Sequence, residues 1–161
     1  MTDKTENNMS AFQIMRFEHA KDLSLPTPGT YMSAGYDLSA ALEEDLILAP
    51  GQRALIPCGF AIALAPGYEG QIRSRSGLAY KHGIVVLNAP GTIDADYRGE
   101  LKVILMNHSD TPFTVTPGMR VAQLVIARFV TVQWHEVDML EEAPTRDAAG
   151  FGSTGLHAKG K

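Results

Sequence analysis

Five Pro-Gly dipeptides, at residues 28–29, 50–51, 66–67, 90–91 and 117–118, cut this chain into apolar runs that are short for helices and right for strands. Proline presets φ and glycine accepts φ > 0, so each pair is a ready bend. Between bends lie strand-like runs at residues 12–17, 46–48, 53–64, 85–87, 102–106, 113–115, 121–130 and 132–137. Short runs of Val, Ile, Leu and Phe separated by such turns predict an all-β sandwich or barrel. No stretch carries helical periodicity over three or more turns. The one expected helix covers residues 77–82, with Ser76 in the N-cap position and Gly83 closing it.

At 161 residues the chain fits one domain with a proper core. It is 45% hydrophobic and 20% charged, and no apolar run approaches membrane-spanning length, so a membrane is not an expected partner. A formal net charge of −4 argues against a general nucleic-acid binder, whose affinity rests on cationic surface. Phosphate binding must then come from a few placed arginines and backbone amides. The polar residues 1–10 are expected to be disordered, and without the pattern of a signal peptide the expected location is cytoplasmic. Cys58 is the single cysteine, which excludes an intrachain disulfide and suits a small core residue. The five histidines show no metal-ligand spacing, so zinc is not expected. Asn107-His-Ser109 is a glycosylation sequon without a secretory context.

The most loaded stretch is residues 88–101, between the runs at 85–87 and 102–106. Pro90-Gly91 and Gly99 bend it, Gly99 through freedom at φ > 0. Asp94 and Asp96 would share a face if the segment were extended. A carboxylate raised on an apolar hairpin beside Tyr97 and Arg98 exceeds what a turn requires, and predicts an active-site hairpin. Elsewhere, Arg75 and Ser76 open the short helix, a place suited to anions. Arg120 and Gln123 stand within an apolar strand, where Arg120 suits a structural salt bridge as well as a ligand contact. From Glu141 the composition changes, and residues 143–161 read as a mobile tail after a β domain spanning 1–142. Gly150-Phe-Gly-Ser-Thr-Gly155 matches a dinucleotide-binding spacing by chance, since no βαβ unit surrounds it. A phenylalanine between glycines beside two hydroxyls instead suits a flap that closes over a ligand.

Five ordered motifs make the chain resemble the homotrimeric dUTP pyrophosphatases, or dUTPases, over nearly its whole length. They stand here as Ala34-Gly-Tyr-Asp-Leu38, Arg75-Ser-Gly-Leu78, Asn88 through Gly99, Gly118-Met-Arg-Val-Ala-Gln123, and Arg146 through Gly155. Two departures stand out: Asp147-Ala-Ala149 replaces a glycine-richer tail, and Met119 stands where an Asp is usual. The resemblance implies a β-clip or distorted jelly-roll-like barrel with one short helix and a mobile C-terminal tail, three copies building three shared sites. It implies hydrolysis of dUTP to dUMP and pyrophosphate with Mg²⁺ on the triphosphate. Asp94 would deprotonate the water that attacks the α-phosphorus. Arg75, Ser76, Gly77, Gln123 and the tail residues Arg146, Phe151, Gly152 and Ser153 would neutralise or cover the phosphates and base. Asn88 and the main chain around Lys102 would read uracil. Tyr97 would lie under the deoxyribose, with Thr92 and Ile93 beside Asp94. Asp37 would meet Mg²⁺ through water, or else brace a turn near Tyr36.

Three other readings stay open on sequence. A dCTP deaminase shares the fold but needs different catalytic residues and lacks this tail, and product analysis separates it. A non-catalytic nucleotide-binding module would bind dUTP without turnover. A structural β domain that assembles trimers for a partner protein would have no use for Arg75 or Phe151.

Overall fold

A computed structural model of the chain describes residues 12–141, so the expected disorder at 1–10 and the expected tail from Ala143 onward fall outside the described residues. The chain divides into two units, Met1–Thr131 and Val132–Lys161. All regular elements among the described residues lie in the first. β1 (Gln13–Arg16) leads through a 3-10 turn (Glu18–Ala20) and a loop to β2 (Gly35–Ser39), β3 (Leu46–Leu48), β4 (Arg53–Pro57), β5 (Phe60–Ala63) and β6 (Tyr68–Arg73). The helix α1 (Ser76–His82) follows, then β7 (Ile84–Val86), β8 (Gly91–Ile93), β9 (Lys102–Asn107), β10 (Phe113–Val115) and β11 (Arg120–Arg128).

Every strand pairing among the described residues is antiparallel. A four-stranded sheet runs β2-β11-β6-β8, a three-stranded sheet runs β4-β9-β7, and β1-β5 and β3-β10 form two-stranded pairs. The all-β expectation holds, but the described strands form separate sheets and not a closed barrel. Alternation explains the core. On β9, Val103, Leu105 and Asn107 point inward and join Leu38, Ile56, Leu101, Val115 and Val121, all at 1% exposure or less.

Three expectations need correction. The apolar run 53–64 is two strands, because Gly59 breaks it at φ 75°. A Cβ there would sit 2.0 Å from that of Ala20, so only glycine admits both the bend and the contact. The helix starts at Ser76 itself, and its N-cap is Arg75 in extended conformation with no side-chain cap bond. Gly83 closes it as expected, at φ 66°. The run 132–137 forms no strand, and Val132, Trp134 and Val137 are exposed. β propensity without a pairing edge does not make a strand. Among the described residues, no helix is long and apolar enough to cross a membrane.

The two faces of the four-stranded sheet differ in kind, and this positions the site. Leu124 and Ile72 pair across β11 and β6 and are buried on the core face. One residue over, Asp37, Gln123 and Arg73 form a cross-strand row on the opposite face. Two residues further along, the next row on that face holds Gly35, Val125, Gln71 and Thr92.

Candidate active site

A cavity of about 640 Å³ opens on the polar end of this sheet, lined among others by Asp37, Arg73, Arg75, Ser76, Gly77 and Gln123. Asp37 organises it. Its Oδ1 lies 3.0 Å from Arg75 Nε and its Oδ2 3.0 Å from Arg120 Nη1. Arg75 also donates from Nη1 to the Arg120 carbonyl at 3.0 Å. Among the described residues the Asp37 carboxylate pairs with these two arginines and does not brace the turn near Tyr36, while Arg120 has the salt bridge that the sequence suits it for. Gln123 donates from Nε2 to the Ser74 carbonyl at 2.9 Å, while the Ser74 hydroxyl accepts from the Val86 amide at 2.8 Å. Ser74 thus ties β11 and β7 to the turn that presents Arg75, Ser76 and Gly77. Gly35 leaves the room: a Cβ there would lie 2.1 Å from Gln123 Oε1.

The hairpin residues lie elsewhere. β7 and β9 pair as expected, with Val86 opposite Leu105. Between them, residues 87–101 cross to the other sheet, where Gly91 and Ile93 of β8 pair with Ile72 and Gly70 of β6. Asp94 follows β8 directly. It is exposed, and makes no side-chain hydrogen bond or ion pair among the described residues. The Tyr97 amide donates to the Asp94 carbonyl at 3.1 Å, closing a turn through Asp96. The segment is therefore bent there, and Asp94 and Asp96 do not share an extended face. Gly99 is not at positive φ either; it serves close approach, since a Cβ there would lie 2.3 Å from the Tyr97 hydroxyl. Gly91 makes similar room for Asn88, whose Nδ2 would be 3.1 Å from an added Cβ. Thr92 and Asn88 are exposed, and Ile93 packs against the core. Lys102 opens β9 with Nζ 3.9 Å from Glu100 Oε2.

Glu100, which the sequence did not single out, anchors the end of this excursion. Its Oε1 accepts from the Gly59 amide at 2.9 Å and lies 2.8 Å from His19 Nε2. Burial, then the Glu100 charge, push the Cys58 thiol from an ordinary 9.0 up to about 12. Arg73, Ser74 and Lys81 likewise carry no signal in the sequence that marks them out. The cavity and the hairpin are not brought together: no residue of the 87–102 excursion lines the cavity. By strand spacing and rise, Ile93 and Gln123 stand roughly 14 Å apart, two strands over and three residues along. Arg146, Phe151, Gly152 and Ser153 lie outside the described residues.

Fold and site define an antiparallel β domain with a cationic cavity and, apart from it, an exposed carboxylate on a crossing hairpin. That class has a family: the dUTPase profile matches residues 21–155, and the chain belongs to the dUTPase family. It is 55% identical over 144 residues to a deoxyuridine 5'-triphosphate nucleotidohydrolase of Orientia tsutsugamushi (strain Boryong), covering 89% of this chain and 95% of that one. The protein of the same name from Rhizobium rhizogenes is 52% identical over 145 residues, covering 89% and 92%. Among solved structures, the Staphylococcus bacteriophage 80alpha dUTPase with dUpNHpp superposes with TM-score 0.82 at 27% identity, covering 92% of this chain and all of that one. A variant dUTPase of phage phi11 of S. aureus, described with a structural Mg(II) ion, shares the fold at TM-score 0.73 and 24% identity, covering 83% of this chain and 100% of that one.

Proposed function

We propose that this chain is a dUTP diphosphatase, converting dUTP and water to dUMP and pyrophosphate by attack on the α-phosphorus. Membership of the dUTPase family carries the reading, supported by relatives named for this activity at 52–55% identity. Asp94 is the general base in this reading. Its exposed carboxylate, with no bond of its own to hold, can take a proton from a water within hydrogen-bonding reach. Arg75, Ser76, Gly77 and Gln123 receive the phosphates, in an orientation kept by Asp37 and Ser74. Asn88 and the Lys102 main chain read the base, Thr92 and Ile93 flank Asp94, and Tyr97 sits under the sugar. Arg146, Phe151, Gly152 and Ser153 complete the phosphate and base contacts.

The donor set fits a Mg²⁺ that arrives on the triphosphate. Both Asp37 oxygens face guanidinium groups, and among the described residues no three His, Cys, Asp or Glu side chains could hold a metal. Asp37 would meet the ion through water, as Mg²⁺ keeps several waters when phosphates bind it. When bound it offsets charge on the phosphate oxygens.

We further place the site between subunits of a cytoplasmic homotrimer. The support is that the cavity lining includes no hairpin residue. Two inactive proteins test this, Asp94→Asn and a chain ending before Arg146. Refolded together at equal amounts, they regain activity if the base and the tail come from different chains, in up to about one quarter of sites. Mixed trimers that stay inactive would place both on one chain. For the reaction itself, each deoxynucleoside triphosphate is incubated with Mg²⁺ in ¹⁸O water and the products are separated. Label in dUMP, from dUTP alone, is expected. Label in pyrophosphate would exclude α-attack, and release of ammonia from dCTP would point to the deaminase.

A further inference from the structure

We propose that Arg73 is a further polyphosphate-binding residue, holding the outer phosphates of the substrate and the pyrophosphate they become. This rests on the dUTP diphosphatase reading for its ligand, and on the following geometry for its site. Arg73 ends β6, stands opposite Gln123 in the polar row, and lines the same cavity as Arg75. The two arginines differ in what already holds them. Arg75 and Arg120 share the Asp37 carboxylate, so their charge is partly offset. Arg73 has no ion-pair partner among the described residues.

Arg73 is instead oriented by a neutral group. Its Nε donates to Gln71 Oε1 at 3.1 Å, and its Nη2 donates to the same oxygen. The Gln71 amide is itself set by donating from Nε2 to Glu69 Oε1 at 2.8 Å. Residues 69, 71 and 73 alternate onto one face of β6, which is what allows this chain of bonds. Glu69 fixes which way the amide faces, and the amide oxygen grips one edge of the guanidinium. The positive charge is kept whole, because an amide does not neutralise it. A guanidinium carries five N–H donors, and two are used here. The Nη1 edge and the second Nη2 hydrogen remain for a ligand. Lys81, also on the cavity wall, adds a second cation without an ion pair among the described residues. A planar fork with free donors beside a point charge matches the oxygens of a phosphate chain.

The competing role is a surface arginine that merely stiffens β6. Calorimetric titration of the full-length protein with pyrophosphate, and separately with dUMP, in Mg²⁺ buffer decides between them. In Arg73→Gln, the pyrophosphate Kd is expected to rise roughly tenfold or more, as when a charge-assisted hydrogen bond is lost. The dUMP Kd should stay within about twofold, since dUMP carries neither outer phosphate. Arg73→Lys keeps charge but loses the fork, and should raise the pyrophosphate Kd severalfold; it also serves if Arg73→Gln does not fold. Pyrophosphate binding equal to wild type in either folded variant overturns the proposal. If wild type cleaves dUTP and pyrophosphate affinity ignores Arg73, this inference fails and the function stands. If wild type fails to cleave dUTP while pyrophosphate binding depends on Arg73, the function fails and this site stands.

Discussion

The Tyr97 ring lies across Gly99 so closely that a methyl group on residue 99 would come within 2.3 Å of the tyrosine oxygen. The hydroxyl then donates to the Glu100 carbonyl at 3.1 Å, which holds the ring over the turn. Glycine is needed at 99 for space, and the space sets where Tyr97 can be. Gly99→Ala should displace the ring while leaving β7, β8 and β9 paired. If Tyr97 excludes the ribose 2′-hydroxyl by bulk, the preference for dUTP over UTP in kcat/KM narrows in Gly99→Ala as in Tyr97→Ala. An unchanged ratio in both variants would remove the steric role.

Asn107 is the buried polar hub of the fold, at 0% exposure. Its Nδ2 donates to the carbonyls of Leu48 and Thr111, at 2.9 and 2.8 Å, and its Oδ1 accepts from the Ser109 amide and hydroxyl. Asn107→Leu strips partners from several backbone groups, at a cost of about 2–4 kcal/mol. Urea unfolding should show that loss, with kcat at low temperature near wild type. A midpoint equal to wild type would mean that the hub is dispensable.

Cys58 ties stability to alkaline pH. Its thiol is raised from 9.0 to about 12 in the folded chain, so the fold keeps a proton that the unfolded chain releases. That contribution is complete below pH 9 and is lost as pH rises toward 12, on the order of 1 kcal/mol per pH unit. Urea midpoints between pH 9 and 11 should fall more steeply for wild type than for Cys58→Ala. Parallel slopes would show that the thiol is not the cause. At pH 8 the native thiol should also resist thiol reagents until unfolding.

Much of this was legible because it is local. Alternating burial on β9, the Gly83 helix stop and the Pro-Gly turns at 50–51, 66–67 and 117–118 follow from a few neighbouring residues, whereas Gly91 opens strand β8 and neither it nor Gly29 is at positive φ. The motif residues were legible through family likeness, and the structure places Arg75, Ser76, Gly77 and Gln123 around one cavity. What escaped depends on partners far apart in sequence. Asp37 meets Arg75 and Arg120, which lie 38 and 83 residues further along the chain, and Ser74 bonds to Val86 and Gln123. No pattern within a strand announces such bonds. Asn107 opens a sequon, yet its buried bonds give it a structural task. Ser76 has a capping side chain, but the backbone bend falls at Arg75.

The most direct test is turnover and binding in Asp94→Asn. The substitution changes one exposed carboxylate that makes no side-chain bond among the described residues, so the fold should persist. Single-turnover hydrolysis of dUTP is measured beside the Kd of the analogue dUpNHpp. With Asp94 as the base, the rate falls by roughly 10²–10⁴-fold while the analogue binds within a few-fold of wild type. A near-normal rate in the folded variant would contradict Asp94 as the base.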